Sequence, residues 1–383
     1  MKRVHYIDNY LIDPQHPVTV NLIGAGGTGS QVLTCLARLD VTLRALGHPG
    51  LSVTLYDPDI VSGTNIGRQL FSDSDIGLNK AKCLITRVNN FFGNDWKAEP
   101  RPYPSVLKEV KRDEIANITV TCTDNIKSRL DLWNVLGKMP PASYTDNATP
   151  LYWMDFGNTQ TTGQVIMGTV LKKIRQPAST LYEAVGSLKV ITRFVKYARV
   201  KEEDSGPSCS LAEALEKQDL FINSTLAQLG CNILWKMFRN GMIEHHGVYL
   251  NLTACYATGN VTIEIDPRQN ISGGGLVGFN DGISLLACYA TGNVTSTGSS
   301  TGYMHIGGFL GNNYTTVTAC YWKNNHEQGI GYNKEGIAPE ATNVDGTSVT
   351  WQNAVDAMNT ALQNKGSEWR YELNGALPTL RKQ

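Results

Sequence analysis

The stretch from Val18 to Ser30, VTVNLIGAGGTGS, constrains the chain more than any other. β-Favouring apolar residues stop at Gly24, Gly26, Gly27 and Gly29, and a helical apolar pattern through Val32, Leu33, Leu36 and Leu39 begins at once. That order predicts a strand, a tight turn and a helix. Glycines let the backbone approach a phosphate closely, Thr28 and Ser30 can cap the helix, and its free N–H groups supply positive potential. The stretch therefore reads as a phosphate cradle. Dinucleotide-binding domains share the GxGxxG pattern, and some short glycine turns bind nothing, so the turn alone leaves the nucleotide open.

The helix is expected to stop at Gly47 to Gly50, and LSVTLYD to form a second strand ending in Asp57, where an acidic residue can accept hydrogen bonds from a ribose. To this point NAD and ATP fit equally. The next segment, DPDIVSGTNIGRQ and the helix expected from Asn79 to Phe92, carries Asp57, Asp59, Asn65, Arg68, Gln69 and Lys80. A pyrophosphate held by backbone amides needs no extra Arg and Lys, whereas a triphosphate undergoing displacement does, which favours ATP. The plainer alternative is that Arg68 and Lys80 are solvated surface charges. In ITVTCTDNIKSR a strand over Ile118 to Cys122 places Asp124 and Asn125 beyond its carboxyl end, with a helix starting near Ile126. Ligands of open α/β sheets collect there, so Asp124 can hold Mg²⁺ and Asn125 or Arg129 can touch phosphates. Asp and Asn are also preferred N-caps, and the two roles are compatible.

The glycine turn, DPDIVSGTNIGRQ, Lys80 and CTDNIKSR together resemble the E1-like ThiF/MoeB superfamily. The wording from HYIDNYLIDPQHP through SCSLAEALEKQDLFINSTLAQLGCNILWKMF is similar, more narrowly, to the ThiF branch of bacterial PRTRC systems, over about residues 4–268. The resemblance implies a Rossmann-like adenylation domain, usually dimeric, that uses ATP and Mg²⁺ to adenylate the C-terminal carboxylate of a small ubiquitin-like or ThiS-like protein. Position by position it implies Gly26 and Gly29 at the phosphates, Asp57 on the ribose, Arg68 and Lys80 on the polyphosphate, and Asp124 on Mg²⁺. A carboxylate is already ionised at neutral pH, so its attack on phosphorus needs charge neutralisation and in-line positioning rather than a general base. Three features depart from the family: TNIGRQ replaces the usual asparagine-leucine lead into the RQ pair, HYIDNY replaces an N-terminal arginine motif, and the zinc-binding CxxC pairs are missing.

Some members pass the adenylate to a cysteine as a thioester. Cys209 is the candidate here: Ser210 and Glu213 read as a capping box that sets the thiol just before a helix N-terminus, where positive potential lowers its pKa. Glu202, Glu203 and Asp204 act the other way, and an ordinary loop cysteine is the competing reading. The other cysteines are scattered and read as reduced core thiols. LYWMDFGNTQTTGQVIMGTV predicts two strands, with Asp155 and Asn158 towards the site. DLFINSTLAQLGCNILWKMFRNG predicts a helix with an apolar stripe ending at Gly241. GVYLNL and VTIEIDP read as closing strands of this domain.

Lys plus Arg and Asp plus Glu are both 34, so no global attraction to nucleic acid or an anionic membrane is implied. The N-terminal stretch lacks an apolar run suited to a signal peptide and no later stretch reaches the length of a membrane span, so a cytoplasmic location is expected. From Ile271 onward the chain holds 17 of the 37 glycines and only 14 charged residues, which predicts an adenylation domain over 1–268 and a different tail over 269–383. In that tail ACYATGNVT at 254 recurs at 287, ACYW follows at 319, and GLVG at 275 is matched by GFLG at 308. Such a period marks stacked units, here a small β-solenoid with Trp351 to Leu362 as a capping helix and WRYELNGALP as a last strand. The units resemble GLUG repeats of bacterial surface proteins, over about residues 254–322. Two other functions stay open: a NAD- or FAD-dependent oxidoreductase, which leaves Arg68, Lys80 and Asp124 without a role, and an adhesin-type binding protein acting through the tail.

Overall fold

A computed structural model describes residues 1–383 other than 68, 140–148, 159–161, 171–172, 196–220, 252–254, 266–269, 282–283, 338–340, 368, 374 and 383. They fall into two compact units, Met1–Leu250 and Asn251–Gln383.

In the first unit, β1 (Lys2–Tyr6) precedes β2 (Val18–Ile23), α1 (Gly27–Ala45), β3 (Leu51–Tyr56), α2 (Lys80–Phe92) and β4 (Lys97–Glu99). Then come β5 (Ile118–Thr121), α3 (Ile126–Leu136), β6 (Tyr152–Asn158), β7 (Thr162–Thr169), β8 (Tyr182–Ala184), α4 (Ile222–Asn240), β9 (Met242–Ile243) and β10 (Gly247–Asn251). Seven strands form one sheet in the order β10-β7-β6-β5-β2-β3-β4. The run from β6 to β4 is parallel and β7 lies antiparallel to β6. Because a parallel sheet is covered on both faces, its strands are near-continuous apolar runs, and five of the six residues of β2 are buried.

On one face α3 brings Leu132 and Val135 against Ile23, Tyr56, Trp153 and Ile166. On the other, α4 approaches so closely that a Cβ on Gly230 would meet Phe156 and Val165 at 2.4 and 3.0 Å. The helix ends follow the glycines: Gly47, Gly93 and Gly241, at φ +86°, +72° and +65°, close α1, α2 and α4. The chain steps from β2 outward to β3 and β4, then returns to place β5 on the other side of β2. That reversal is the topological switch point, and the carboxyl ends of β2 and β5 open beside each other there. HYIDNY serves the fold at β1, where His5 is buried, bonds Val185 O through Nδ1 at 2.5 Å and the Tyr152 hydroxyl through Nε2 at 2.8 Å. No described helix is long and apolar enough to cross a membrane.

In the second unit, repeat copies lie side by side as parallel strands at the period read from the sequence. Tyr256 pairs with Tyr289 and Tyr289 with Tyr321, Val261 with Val294, Ile271 with Met304, and Val277 with Leu310. The alanine of successive ACY copies is left-handed, Ala287 at φ 52° and Ala319 at φ 49°, and each leads into a buried cysteine, Cys288 and Cys320. VTIE therefore belongs to the repeat ladder, paired with Val294–Thr297, whereas GVYLN joins the first unit's sheet. A helix, Trp351–Asn364, packs Met358 and Leu362 on Tyr289 and Tyr371. The last strand expected from WRYELNGALP is instead a hairpin, Trp369–Leu373 antiparallel to Pro378–Lys382. Gly375 between them adopts φ +104°, a reversal that only glycine makes without strain.

Candidate active site

A cleft of about 740 Å³ lies where the sheet order reverses. Of the residues singled out from the sequence, Gly24, Gly26, Gly27, Asp57, Asp59, Gln69, Lys80, Asp124 and Asn125 line it. Gly29, Asn65 and Arg129 are not part of its lining. Arg68 and Cys209 lie outside the described residues.

The cradle is built by close backbone approach. Gly24 has φ +97° and bonds Tyr56 O from its N–H at 2.9 Å, and a Cβ there would sit 2.8 Å from Cys122 O. Gly29 lies in the first turn of α1, and a Cβ there would be 1.9 Å from Gly24 O. The constraint at Gly29 is thus strand-to-helix packing, and neither backbone can yield without opening the turn. Gly29→Ala is expected to destabilise the first unit by about 1–3 kcal/mol, as overpacking does, and to shorten hydrogen-exchange protection of α1. At Gly26 nothing lies within 4 Å, so the mouth of the cradle is open.

Asp57, at the end of β3, is buried and holds the cradle from below. Its Oδ2 accepts from Ala25 N–H at 2.6 Å and its Oδ1 from Asp59 N–H at 2.8 Å. Burial raises its carboxyl above the ordinary aspartate value, while the two backbone donors and the Lys80 ammonium pull it back. Lys80 opens α2 after its N-cap Asn79, whose side chain accepts from Lys82 N–H, and donates from Nζ to Asp59 Oδ2 at 3.0 Å. Asn65 accepts from Ser62 N–H at 2.9 Å, and its carbonyl takes the N–H of Gln69, which sets the turn that presents Gln69 to the cleft. Asp124 is exposed at the cleft edge, and Asn125 caps α3 by accepting from Ser128 N–H at 2.8 Å.

Two buried polar atoms on this wall, Gln69 Oε1 and Thr123 Oγ1, have no hydrogen-bond partner among the described residues. Native interiors rarely leave such groups unmet, so a polar ligand at this wall fits them. Asp124, an exposed hard oxygen donor at the same edge, suits Mg²⁺.

The model of the ThiF family matches residues 16–360. The chain belongs to the ThiF family. No curated protein matches it. Among solved structures, it is similar to selenomethionine PaaA at 14% identity, covering 61% of each chain at a TM-score of 0.39. It is also similar to E. coli MccB crystallised with AMPCPP and MccA, at 18% identity over 58% of this chain and 56% of that one, TM-score 0.37. A second MccB complex, with MccA-N7isoASN, gives 19%, 58%, 57% and 0.36. This chain thus spans less than two thirds of those structures, and scores so low set no residue of it against a residue of theirs.

In this ThiF-family chain Arg129 faces away from solvent. Its Nε donates to both Asp155 oxygens at 3.0 and 3.2 Å, and Nη2 donates to Thr123 O and Phe156 O at 2.5 and 2.8 Å. It fastens the loop bearing Thr123 and Asp124 to β6. Residues that the sequence did not single out also reach the cleft. Arg101 lies 5.5 Å from the centre of the Tyr56 ring and is paired with Glu99 and Glu114. Asn223 of α4 lines the cleft beside Gly27. Neither had a signal, because each acquires its role only through long-range packing.

Proposed function

We propose that this ThiF-family protein is an ATP- and Mg²⁺-dependent adenylyltransferase acting on the C-terminal carboxylate of a small ubiquitin-like protein. The observation that carries this reading is the convergence of the glycine cradle, Asp57, Lys80 and Asp124 on one cleft, whose wall also holds two buried polar atoms with no partner among the described residues. A hydride-transfer site would give Lys80 and Asp124 no task. Gly24, Gly26 and Gly27 with the N-terminus of α1 hold the phosphates, Asp57 takes the ribose hydroxyls, and Lys80 and Arg68 neutralise the polyphosphate. Mg²⁺, held by Asp124, would supply further charge neutralisation on the departing pyrophosphate.

In the reaction a carboxylate oxygen of the partner forms a bond to the α-phosphorus, the bond from that phosphorus to the bridging oxygen breaks, and pyrophosphate leaves. The product is an acyl adenylate. Attack of the Cys209 thiolate on its carbonyl would then expel AMP and leave a thioester. We read the protein as a homodimer of the PRTRC type, and the second unit as a GLUG-like β-solenoid that follows the enzyme in sequence.

Intact-mass analysis tests this directly, with the full chain, MgATP and a small ubiquitin-like protein bearing a free C-terminal glycine. The expected result is a partner carrying AMP, and a thiol-labile adduct on the chain that is lost in Cys209→Ala while the adenylate persists. Tight NAD binding with no adenylate would overturn the reading in favour of an oxidoreductase. Asp124→Asn is expected to raise the Mg²⁺ needed for half-maximal rate by about tenfold, because one charged oxygen ligand is lost.

Asp57 gives the nucleotide site a pH dependence. Burial lifts its folded-state pKa above the unfolded value of about 3.9, so the folded chain takes up this proton first. At neutral pH that costs stability, and the cost is relieved as pH falls through the folded pKa. Ribose binding runs the opposite way, since the hydroxyls donate to the charged form. Calorimetric titrations are expected to show ATP affinity falling on acidification, from a pH above the ordinary aspartate value, and Asp57→Asn should flatten that fall.

A further inference from the structure

Asn223 stands on the first turn of α4, yet its side chain belongs to the far side of the cleft. It is 3% exposed. The Thr28 hydroxyl donates to Asn223 Oδ1 at 2.7 Å, a bond between residues 195 positions apart. With Oδ1 turned to Thr28, Nδ2 lies over Gly27, only 2.6 Å from where a Cβ on that glycine would stand. Gly27 is the first residue of α1, and Gly27, Thr28 and Asn223 all line the cleft. A buried, uncharged amide is therefore held on the lining of the cleft over Gly27, beside the helix N-terminus that favours anions.

We propose that Asn223 is a phosphate-positioning residue, contributed to the cradle by the helix that follows the Cys209 segment in sequence. The inference rests on the nucleotide reading above. Two consequences follow from the chemistry. The amide adds a donor next to phosphate oxygens where a carboxylate would repel them, and it ties the Thr28 hydroxyl so that the cradle keeps one shape with or without nucleotide. It also accounts for glycine at position 27, since a Cβ there would stand 2.6 Å from the amide nitrogen and displace it.

A purely structural Asn223 and a phosphate-facing one respond differently to a change of charge. Asn223→Asp preserves shape and still accepts from Thr28, but replaces the donor with a negative charge. With the full chain, affinities for ATP, ADP, AMP and adenosine are measured by competition against a fluorescent nucleotide. Asn223→Asp is expected to weaken ATP by about 10–100-fold, ADP less, AMP less again, and adenosine not at all, because charge repulsion at close range grows with the number of phosphates. Asn223→Ala should weaken ATP by about 3–10-fold, as loss of one hydrogen bond does, and raise KM for ATP more than it lowers kcat.

Thr28→Val, which leaves Asn223 in place but unties its amide, carries the test if the aspartate variant fails to fold; it should also weaken ATP and spare adenosine. Losses that are the same for all four ligands, or an Asn223→Asp chain that binds ATP as wild type does, would overturn the inference and leave the nucleotide reading standing. A wild-type chain that binds none of the phosphorylated ligands would overturn both.

Discussion

Replacing Lys80 with alanine is expected to slow adenylate formation by about 10²–10³-fold while leaving the fold intact. Lys80 is 8% exposed, at the start of α2, and its Nζ reaches Asp59, whose own side chain is 62% exposed. The lysine is thus held by an acidic group that water can solvate unaided, so the pair contributes little to stability and its loss leaves no buried unpaired charge. Its ammonium, by contrast, is enclosed at the wall of the cleft, where the proposed adenylation would develop charge as the phosphorus–oxygen bond breaks. Removing one preorganised group of that kind costs about 2.7–4 kcal/mol of transition-state stabilisation. Single-turnover adenylation checks the number, and a melting temperature within a few degrees of wild type checks the premise. Asp59→Ala, which releases Lys80 from its partner, should change KM for ATP more than kcat. A Lys80→Ala enzyme within threefold of wild type would remove Lys80 from the chemistry.

The parts of this site that could be read from the sequence are those whose cause is local. The glycines, the N-cap Asn125 and the acidic end of β3 announce themselves within a few residues, because turn sterics and helix ends act at that range. The repeat period was legible for the same kind of reason, and the parallel registers at Tyr256, Tyr289 and Tyr321 follow it. Asn223 shows the limit: nothing near it in the chain marks it, and its partner Thr28 lies 195 positions away. Gly29 shows another, since its glycine is demanded by Gly24 O rather than by open space for a ligand. The WRYELNGALP hairpin was missed because the turn at Gly375 sits inside a run that reads as one strand.

Arg129 carries the second large effect, and it comes from a partner that sequence spacing conceals. Asp155 is fully buried in β6, whose register sets it opposite Thr121 of β5. Thr121 donates its hydroxyl to Asp155 Oδ1 at 2.5 Å and accepts from Trp153 Nε1 at 2.9 Å. Burial pushes the Asp155 carboxyl up, and the Arg129 guanidinium and the Thr121 hydroxyl hold it down. Arg129→Ala removes the main compensation and leaves a buried carboxylate facing orphaned carbonyls of Thr123 and Phe156. Breaking a buried pair in this way costs about 3–5 kcal/mol. The expected result is loss of hydrogen-exchange protection across β5 and β6 by that amount at neutral pH. The sign of the pH effect is fixed by the same argument: without Arg129 the folded-state pKa of Asp155 rises further above its unfolded value, so the penalty is greatest above that pKa and shrinks as acidification protonates the group. Asp155→Asn in the Arg129→Met background should recover much of the loss by removing the stranded charge. Unchanged β5 and β6 protection in Arg129→Ala would mean that the pair does not hold the strands. Because the same guanidinium grips Thr123 O, the loop carrying Asp124 should loosen in every variant that frees it, and the Mg²⁺ requirement should rise even in the double variant whose stability is restored.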